Sequence, residues 1–203
     1  MNKNGLSKVC GSNPAVILAS ASPRRKELLT QIGVGCICMP VDIDEAAFQD
    51  EPVVEYVSRL AKEKAQAGWE LRSEKVNEGN LPVLGADTIV VYQGKLLGKP
   101  NCEAEAFETL KLLSGQKHQV FSAVALCSAN GCECLVSENW VEFSEINEAS
   151  ILCYIATGEP MDKAGSYGIQ GLAAVWIKRI EGSYSSVMGL PLYETAQLLK
   201  NSI

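Results

Sequence analysis

Several groups of residues in this chain carry more chemistry than packing alone requires. The first is Ser20-Ala21-Ser22-Pro23-Arg24-Arg25, which follows the apolar run Val16-Ile17-Leu18. Pro23 suits a first helical turn, where its missing N–H costs nothing. Leu28, Leu29 and Ile32 then recur at helical spacing until Gly33 ends the pattern. Arg24 and Arg25 therefore fall in the first turn, an end that the helix macrodipole already makes positive. Two guanidiniums, the hydroxyls of Ser20 and Ser22 and a helix N-terminus suit a polyanion such as a phosphate chain. The plainer alternative is a pair of solvated surface arginines.

Acids follow. Asp42-Ile43-Asp44-Glu45 comes after a strand-like segment, as turn residues or as hard oxygen ligands for Mg2+. Asp87, in Gly85-Ala86-Asp87-Thr88, interrupts an apolar run and should not be buried there without a partner. It either caps a ladder edge or points into a cleft as metal ligand or general base for water. Lys99 lies in the stiff segment Gly98-Lys99-Pro100. Of Lys62 and Lys64, the second falls nearer the apolar side of a long helix. The stretch from Asp162 to Gly171 contains Lys163, Gly165, Gly168 and Gly171, which let backbone approach a ligand closely. It fits neither the dinucleotide fingerprint nor the P-loop. Gln170 in that stretch offers both a donor and an acceptor, suitable for a base edge. Cations at a helix start, isolated acids, spaced lysines and a glycine loop together suggest metal-assisted chemistry on a polyphosphate.

The elements that must position these groups alternate between strand and helix periods. Strands are expected near 15–20, 34–41, 83–92, 118–128, 133–143 and 173–180. Helices are expected near 23–32, 51–71, 103–113, 147–157 and 190–199. On the helix 51–71, Val54, Val57, Leu60, Ala61, Lys64 and Ala65 gather around one side. Asn130-Gly131 between two long strand-like runs signals a hairpin. The pattern predicts an α/β protein with a mixed, partly antiparallel twisted sheet and flanking helices. Residues 1–14 are expected to be an extra, disordered N-terminal segment, and 15–203 a single domain of two lobes around a central cleft.

Composition excludes other classes. The chain has 203 residues, is 47% hydrophobic and carries a formal net charge of −6. No basic run exceeds Arg24-Arg25-Lys26, so nucleic acid is not an expected partner. No stretch approaches the ~18 apolar residues that span a bilayer, and no signal-peptide core is visible, so a cytoplasmic protein with no membrane partner is expected. Of the eight cysteines, none forms a Cys-x-x-Cys pair, and there is one histidine. Reduced cysteines serving as small hydrophobes are expected rather than a zinc site. Apolar faces on the hairpin allow a homodimer contact or simply the core.

Taken in order along the chain, these segments resemble the Maf proteins, nucleotide pyrophosphatases related in fold to the inosine triphosphatases. The matching stretches are Ser20 to Arg25, Arg59-Leu-Ala-Lys-Glu-Lys64, Gly85 to Thr88, Gly98 to Pro100, Leu113-Ser-Gly115 with His118-Gln-Val120, Asp162 to Gly171, and Gly182-Ser183 with Gly189-Leu-Pro191. The resemblance implies hydrolysis of a nucleoside triphosphate to the monophosphate and pyrophosphate, with Mg2+ or Mn2+. It implies that Asp87 is the proton acceptor and that Ser20, Arg24, Glu45, Lys64, Lys99 and Gln170 belong to the site. Glu45 and Asp87 are the expected metal ligands. Arg25 and Lys163 join Ser20, Arg24, Lys64 and Lys99 as expected phosphate-binding residues. A subfamily acting on dTTP and UTP is similar at Arg24, Thr88 and Tyr167 to Gly171. A sister subfamily acting on 7-methyl-GTP has Asp-Gln in place of Asp87-Thr88 and Glu in place of Gln170. The chain departs from its relatives at Ser122, where they often carry Thr. The rival readings are a pyrophosphatase for modified or purine nucleotides, and a nucleotide-binding regulator of cell division with little turnover.

Overall fold

The computed structural model describes residues 15–75 and 81–202; the segment 1–14, expected to be disordered, lies outside them. The described elements are β1 (Val16–Leu18), α1 (Pro23–Gln31), β2 (Cys36–Cys38), α2 (Val53–Lys75), β3 (Val83–Tyr92), β4 (Lys95–Leu97), α3 (Glu103–Leu113), β5 (Lys117–Ser128), β6 (Gly131–Phe143), α4 (Glu148–Ile155), β7 (Ile177–Glu181), α5 (Tyr184–Met188) and α6 (Leu192–Ser202). Three short 3-10 turns lie at Glu159–Asp162, Ala164–Ser166 and Leu172–Trp176. The strands form a seven-stranded sheet in the order β2-β1-β3-β5-β6-β7, with β4 on β3. It is mixed, as expected. β1 pairs in parallel with β2 and with the start of β3. β4 runs antiparallel to the end of β3, and β7 antiparallel to β6. Each parallel step needs a crossover, which α1 and α2 supply.

The chain divides into two compact units. One comprises the described parts of Met1–Asp87, Ser122–Val136 and Gly189–Ile203; the other comprises Thr88–Phe121 and Ser137–Met188. In the first unit, β1 is buried on both faces, which explains its unbroken apolar run. Ile17, Ala19, Met39 and Val83 make a core with Trp69 and Leu71 of α2 packed against it. Gly33 takes a φ of +74° just past α1, and its N–H donates to Thr30 O. On α2 the stripe Val57, Leu60, Ala61, Lys64 and Ala65 is buried as expected, whereas Val54 at the helix start is 47% exposed.

The second unit is built on Val90, Leu110, Leu113, Val141, Phe143, Ile151 and Tyr154, with α3 and α4 in contact. Asn147 caps α4, its side chain accepting from Ser150 N. The expected strand over 173–180 begins only at Ile177, because Leu172–Trp176 winds into a 3-10 turn. Strand β4 is the second arm of the hairpin that turns at Gln93-Gly94, while helix α5 was not expected. The expectation of reduced, core-filling cysteines is corrected. Cys127 and Cys132 form a disulfide, because the β5–β6 hairpin brings them together. Cys36, Cys38, Cys102, Cys134 and Cys153 are free but half-buried or exposed. Burial, with the Cys38 thiol beside it, pushes the Cys36 thiol up to about 11, so it stays protonated at neutral pH. Among the described residues no helix is long and apolar enough to cross a membrane.

Candidate active site

In the first unit the chemistry gathers beyond the C-terminal ends of the parallel strands β2, β1 and β3, the edge where open α/β sheets bind ligands. Ser20 stands just past β1, Glu45 follows β2, and Asp87 lies on β3 beyond its pairing with β1 at Val83 and Leu84. Ser22 occupies the N-cap of α1, but its hydroxyl makes no capping bond. The Ser20 hydroxyl takes the Ser22 N–H instead, at 3.2 Å, and also accepts from Arg25 Nη1 at 3.1 Å. Arg25 Nε donates to Gly189 O at 2.9 Å. This arginine is therefore pinned, not a freely solvated surface cation. Burial lowers its pKa, Asp87 opposes that shift, Arg24 adds to it and Glu45 opposes it. A guanidinium is basic enough to remain charged at neutral pH regardless. Arg24 is half-buried beside it.

Asp87 does not interrupt β3, which runs unbroken from Val83 to Tyr92. Side chains alternate along a strand, so Gly85 and Asp87 share a face, and α2 packs on it. An ideal Cβ on Gly85 would stand 2.4 Å from Ala61 O and 2.5 Å from Ala65 N, so only glycine lets the helix backbone come this close. That approach delivers Lys64 to Asp87. Lys64 Nζ donates to Asp87 Oδ1 at 2.7 Å and lies 2.6 Å from Glu45 Oε1. Lys64 and Asp87 are both buried, while half of the Glu45 side chain is exposed. One ammonium thus joins two carboxylates, one enclosed and one open to solvent. Lys62 is exposed, which resolves the ambiguity between the two lysines.

Tyr56 and Glu51, which the sequence did not mark, and Arg59, which opens the matching stretch Arg59 to Lys64, support this cluster. Tyr56 Oη donates to Glu45 O at 2.8 Å. Arg59 binds Glu51 through a two-pronged contact at 2.7 and 2.8 Å. Tyr56, Arg59 and Lys64 lie on one side of α2, a spacing readable in sequence. Their partners in the preceding loop are not readable.

In the second unit, Gly165 N donates to Gly98 O at 3.1 Å, which joins the loop carrying Lys99 to the glycine-rich loop. Lys99 and Gln170 are exposed and Thr88 is half-buried. The Lys163 ammonium lies within its own loop, donating to Glu159 O at 2.5 Å and to Asp162 Oδ1 at 2.6 Å. Glu159 is a further residue that sequence reading missed. Its carboxylate accepts from Tyr154 Oη at 2.9 Å and from Leu172 N at 3.1 Å. A Cβ on Gly171 would stand 2.0 Å from Glu159 Oε1. Gln170 is therefore displayed from a backbone tied down on both sides, since Gly168 N also donates to Tyr154 Oη.

The family model of the Maf-like proteins matches residues 15–202. A dTTP/UTP pyrophosphatase of Methylobacillus flagellatus is 49% identical over 186 residues, 92% of this chain and 92% of that protein. Proteins of the same name from Colwellia psychrerythraea and Pseudoalteromonas atlantica are 51% and 52% identical, over 92% and 91% of this chain and 88% and 95% of theirs. Among solved structures, the Staphylococcus aureus Ham1 protein matches 63% of this chain and 71% of its own at 12% identity, with a TM-score of 0.38, a likeness too distant to argue from. The family model and these relatives define a nucleotide pyrophosphatase, an enzyme of the hydrolase class. The chain belongs to the Maf family.

Proposed function

We propose that this chain hydrolyses dTTP and UTP to the nucleoside monophosphate and pyrophosphate, by attack of water on the α-phosphorus. The observation that carries the reading is the buried Lys64 ammonium shared between Asp87 and Glu45. The names of the relatives supply the substrates. Asp87 accepts the proton of the attacking water, whose oxygen forms the new bond to phosphorus. The bond from the α-phosphorus to the bridging oxygen breaks, and its electron pair leaves with pyrophosphate. Arg24, Arg25 and Lys64 offset the charge that gathers on the phosphate oxygens. Ser20, held by Arg25, adds a hydroxyl at the start of α1.

The donor set fits a divalent ion. Glu45 and Asp87 already approach one cation together, and Mg2+ or Mn2+ takes one or two carboxylates plus substrate oxygens. When bound, that ion would withdraw charge from the phosphates. For Thr88, Lys99, Lys163 and Gln170 the support is the sequence pattern and the family resemblance. Lys99 and Lys163 are assigned to phosphate oxygens. Thr88 and Gln170 are assigned to substrate choice, with the neutral amide of Gln170 meeting the O4 and N3–H edge of thymine or uracil.

Pyrophosphate release from a nucleotide panel with Mg2+, in the native chain and in Asp87→Asn, tests this. The expected result is turnover of dTTP and UTP that falls by at least ~100-fold in the variant, the scale of a lost general base. Faster turnover of 7-methyl-GTP or a purine triphosphate would overturn the substrate assignment. Tight dTTP binding with no release would favour the regulator.

A further inference from the structure

Glu45 lies in the segment between β2 and α2, where residues 44–50 have no helix or strand and are exposed. Apolar burial does not fix such a segment, and left to itself it would sample many conformations. Polar ties to one helix fix it. Tyr56 Oη donates to Glu45 O at 2.8 Å, and Arg59 Nη2 donates to the next carbonyl, Ala46 O, at 2.9 Å. The same guanidinium grips Glu51 with two hydrogen bonds and lies 4.0 Å from the centre of the Phe48 ring. Glu51 Oε2 in turn accepts from Phe48 N at 3.1 Å. Both carbonyls at the Glu45–Ala46 step are thus held by α2, the helix that also carries Lys64.

We propose that Tyr56 and Arg59 are positioning residues that hold the main chain at Glu45 and Ala46 so that the Glu45 carboxylate meets Lys64 beside Asp87. The inference rests on the pyrophosphatase reading, in which Glu45 serves the reacting phosphates. Burial chiefly raises the Tyr56 phenol pKa, and Asp87 and Glu45 raise it further, as expected for a hydroxyl facing that cluster. A merely structural role, stapling the start of α2 to the loop before it, would act on stability without regard to Glu45.

Tyr56→Phe separates the two, since it removes a single oxygen. The expected result is a loss of about tenfold in kcat for dTTP with KM changed less than about twofold, the scale of a small misplacement of a catalytic group. Arg59→Lys keeps the charge but not the fork, and should lose at least as much. In a Glu45→Gln background, Tyr56→Phe should cost nothing further, because the group it positions is gone. Hydrogen exchange gives a readout independent of turnover. The Ala46 amide, which donates to Asp44, and the Phe48 amide, which donates to Glu51, should exchange faster in Tyr56→Phe while β3 amides do not. The same fold-loss in both backgrounds, or unchanged exchange at Ala46 and Phe48, would overturn the proposal. If the native chain releases no pyrophosphate from any triphosphate, the pyrophosphatase reading fails, and the exchange measurement still decides whether Tyr56 holds the loop.

Discussion

Lys64 is the residue on which the site's electrostatics turn, because it is 9% exposed and its ammonium meets Asp87, which is 7% exposed. A buried pair of this kind costs desolvation on both sides, and its removal is felt when only one member goes. Lys64→Met should destabilise the fold by about 3 kcal/mol, the usual cost of leaving a buried charge without its partner. Lys64→Met with Asp87→Asn should recover much of that loss, since the stranded carboxylate is gone. Urea unfolding of the two single variants and the double variant measures the coupling, and strictly additive losses would refute it. The importance of this pair was legible in the sequence from two signs: an acid inside the apolar run of β3, and a lysine where the apolar stripe of α2 passes. Arg59 was not legible as a support. A cation in mid-helix looks like part of a solvated face until the path of the preceding loop puts Glu51 and the Ala46 carbonyl against it.

At the scale of elements, the approach of α2 to β3 sets the distance from Lys64 to Asp87, and Gly85 sets that approach. A methyl group at Gly85 would meet backbone atoms of Ala61 and Ala65, which cannot swing aside as a side chain can. Gly85→Ala should therefore push the strand from the helix, destabilise the chain by roughly 2–3 kcal/mol and lower kcat as Asp87 and Lys64 part. Gly98→Ala is a useful control for stability, because its Cβ would meet nothing within 4 Å and the change should stay within about 0.5 kcal/mol. A Gly85→Ala chain as stable and as active as the native one would show that the packing relaxes without cost. In the sequence Gly85 is only the neighbour of Asp87, since the reason for a glycine there is a helix brought in from elsewhere in the chain. Elements with a full period were readable: α3 spans Glu103–Leu113, as its spacing predicts. Elements set by tertiary contacts were not. The apolar start of the expected strand, 173–176, winds instead into the 3-10 turn Leu172–Trp176, where Gly171 before it is fixed against Glu159.

The molecule as a whole contains a single histidine, so one group dominates its titration between neutral pH and the carboxylate range. His118 is 1% exposed, donates to or accepts from Tyr167 Oη at 2.8 Å, and packs edge-on against Phe143. Its other ring nitrogen, Nδ1, has no hydrogen-bond partner among the described residues. Burial lowers its pKa from 6.5 to about 4. In the unfolded chain the ring takes up a proton as pH falls through 6.5, while the folded chain resists until about 4, so the unfolded state binds more protons across that window. Stability contributed by the neutral ring is complete above pH 6.5 and is lost as pH drops toward 4. The total is about 3 kcal/mol, since each pKa unit is worth about 1.36 kcal/mol. Below that range, half-buried glutamates with lowered pKa values, such as Glu142 held by Lys178 and Glu181 held by Lys117, add a separate acid loss as they protonate. The two contributions separate in the variant His118→Gln. Its absolute stability should be lower, because the amide fills the ring's place poorly. Its urea-unfolding free energy should be nearly flat between pH 6.5 and 4.5, where the native chain's declines steadily. Parallel curves for the two proteins would mean that the buried ring is protonated in the folded state or is not the group that senses this range.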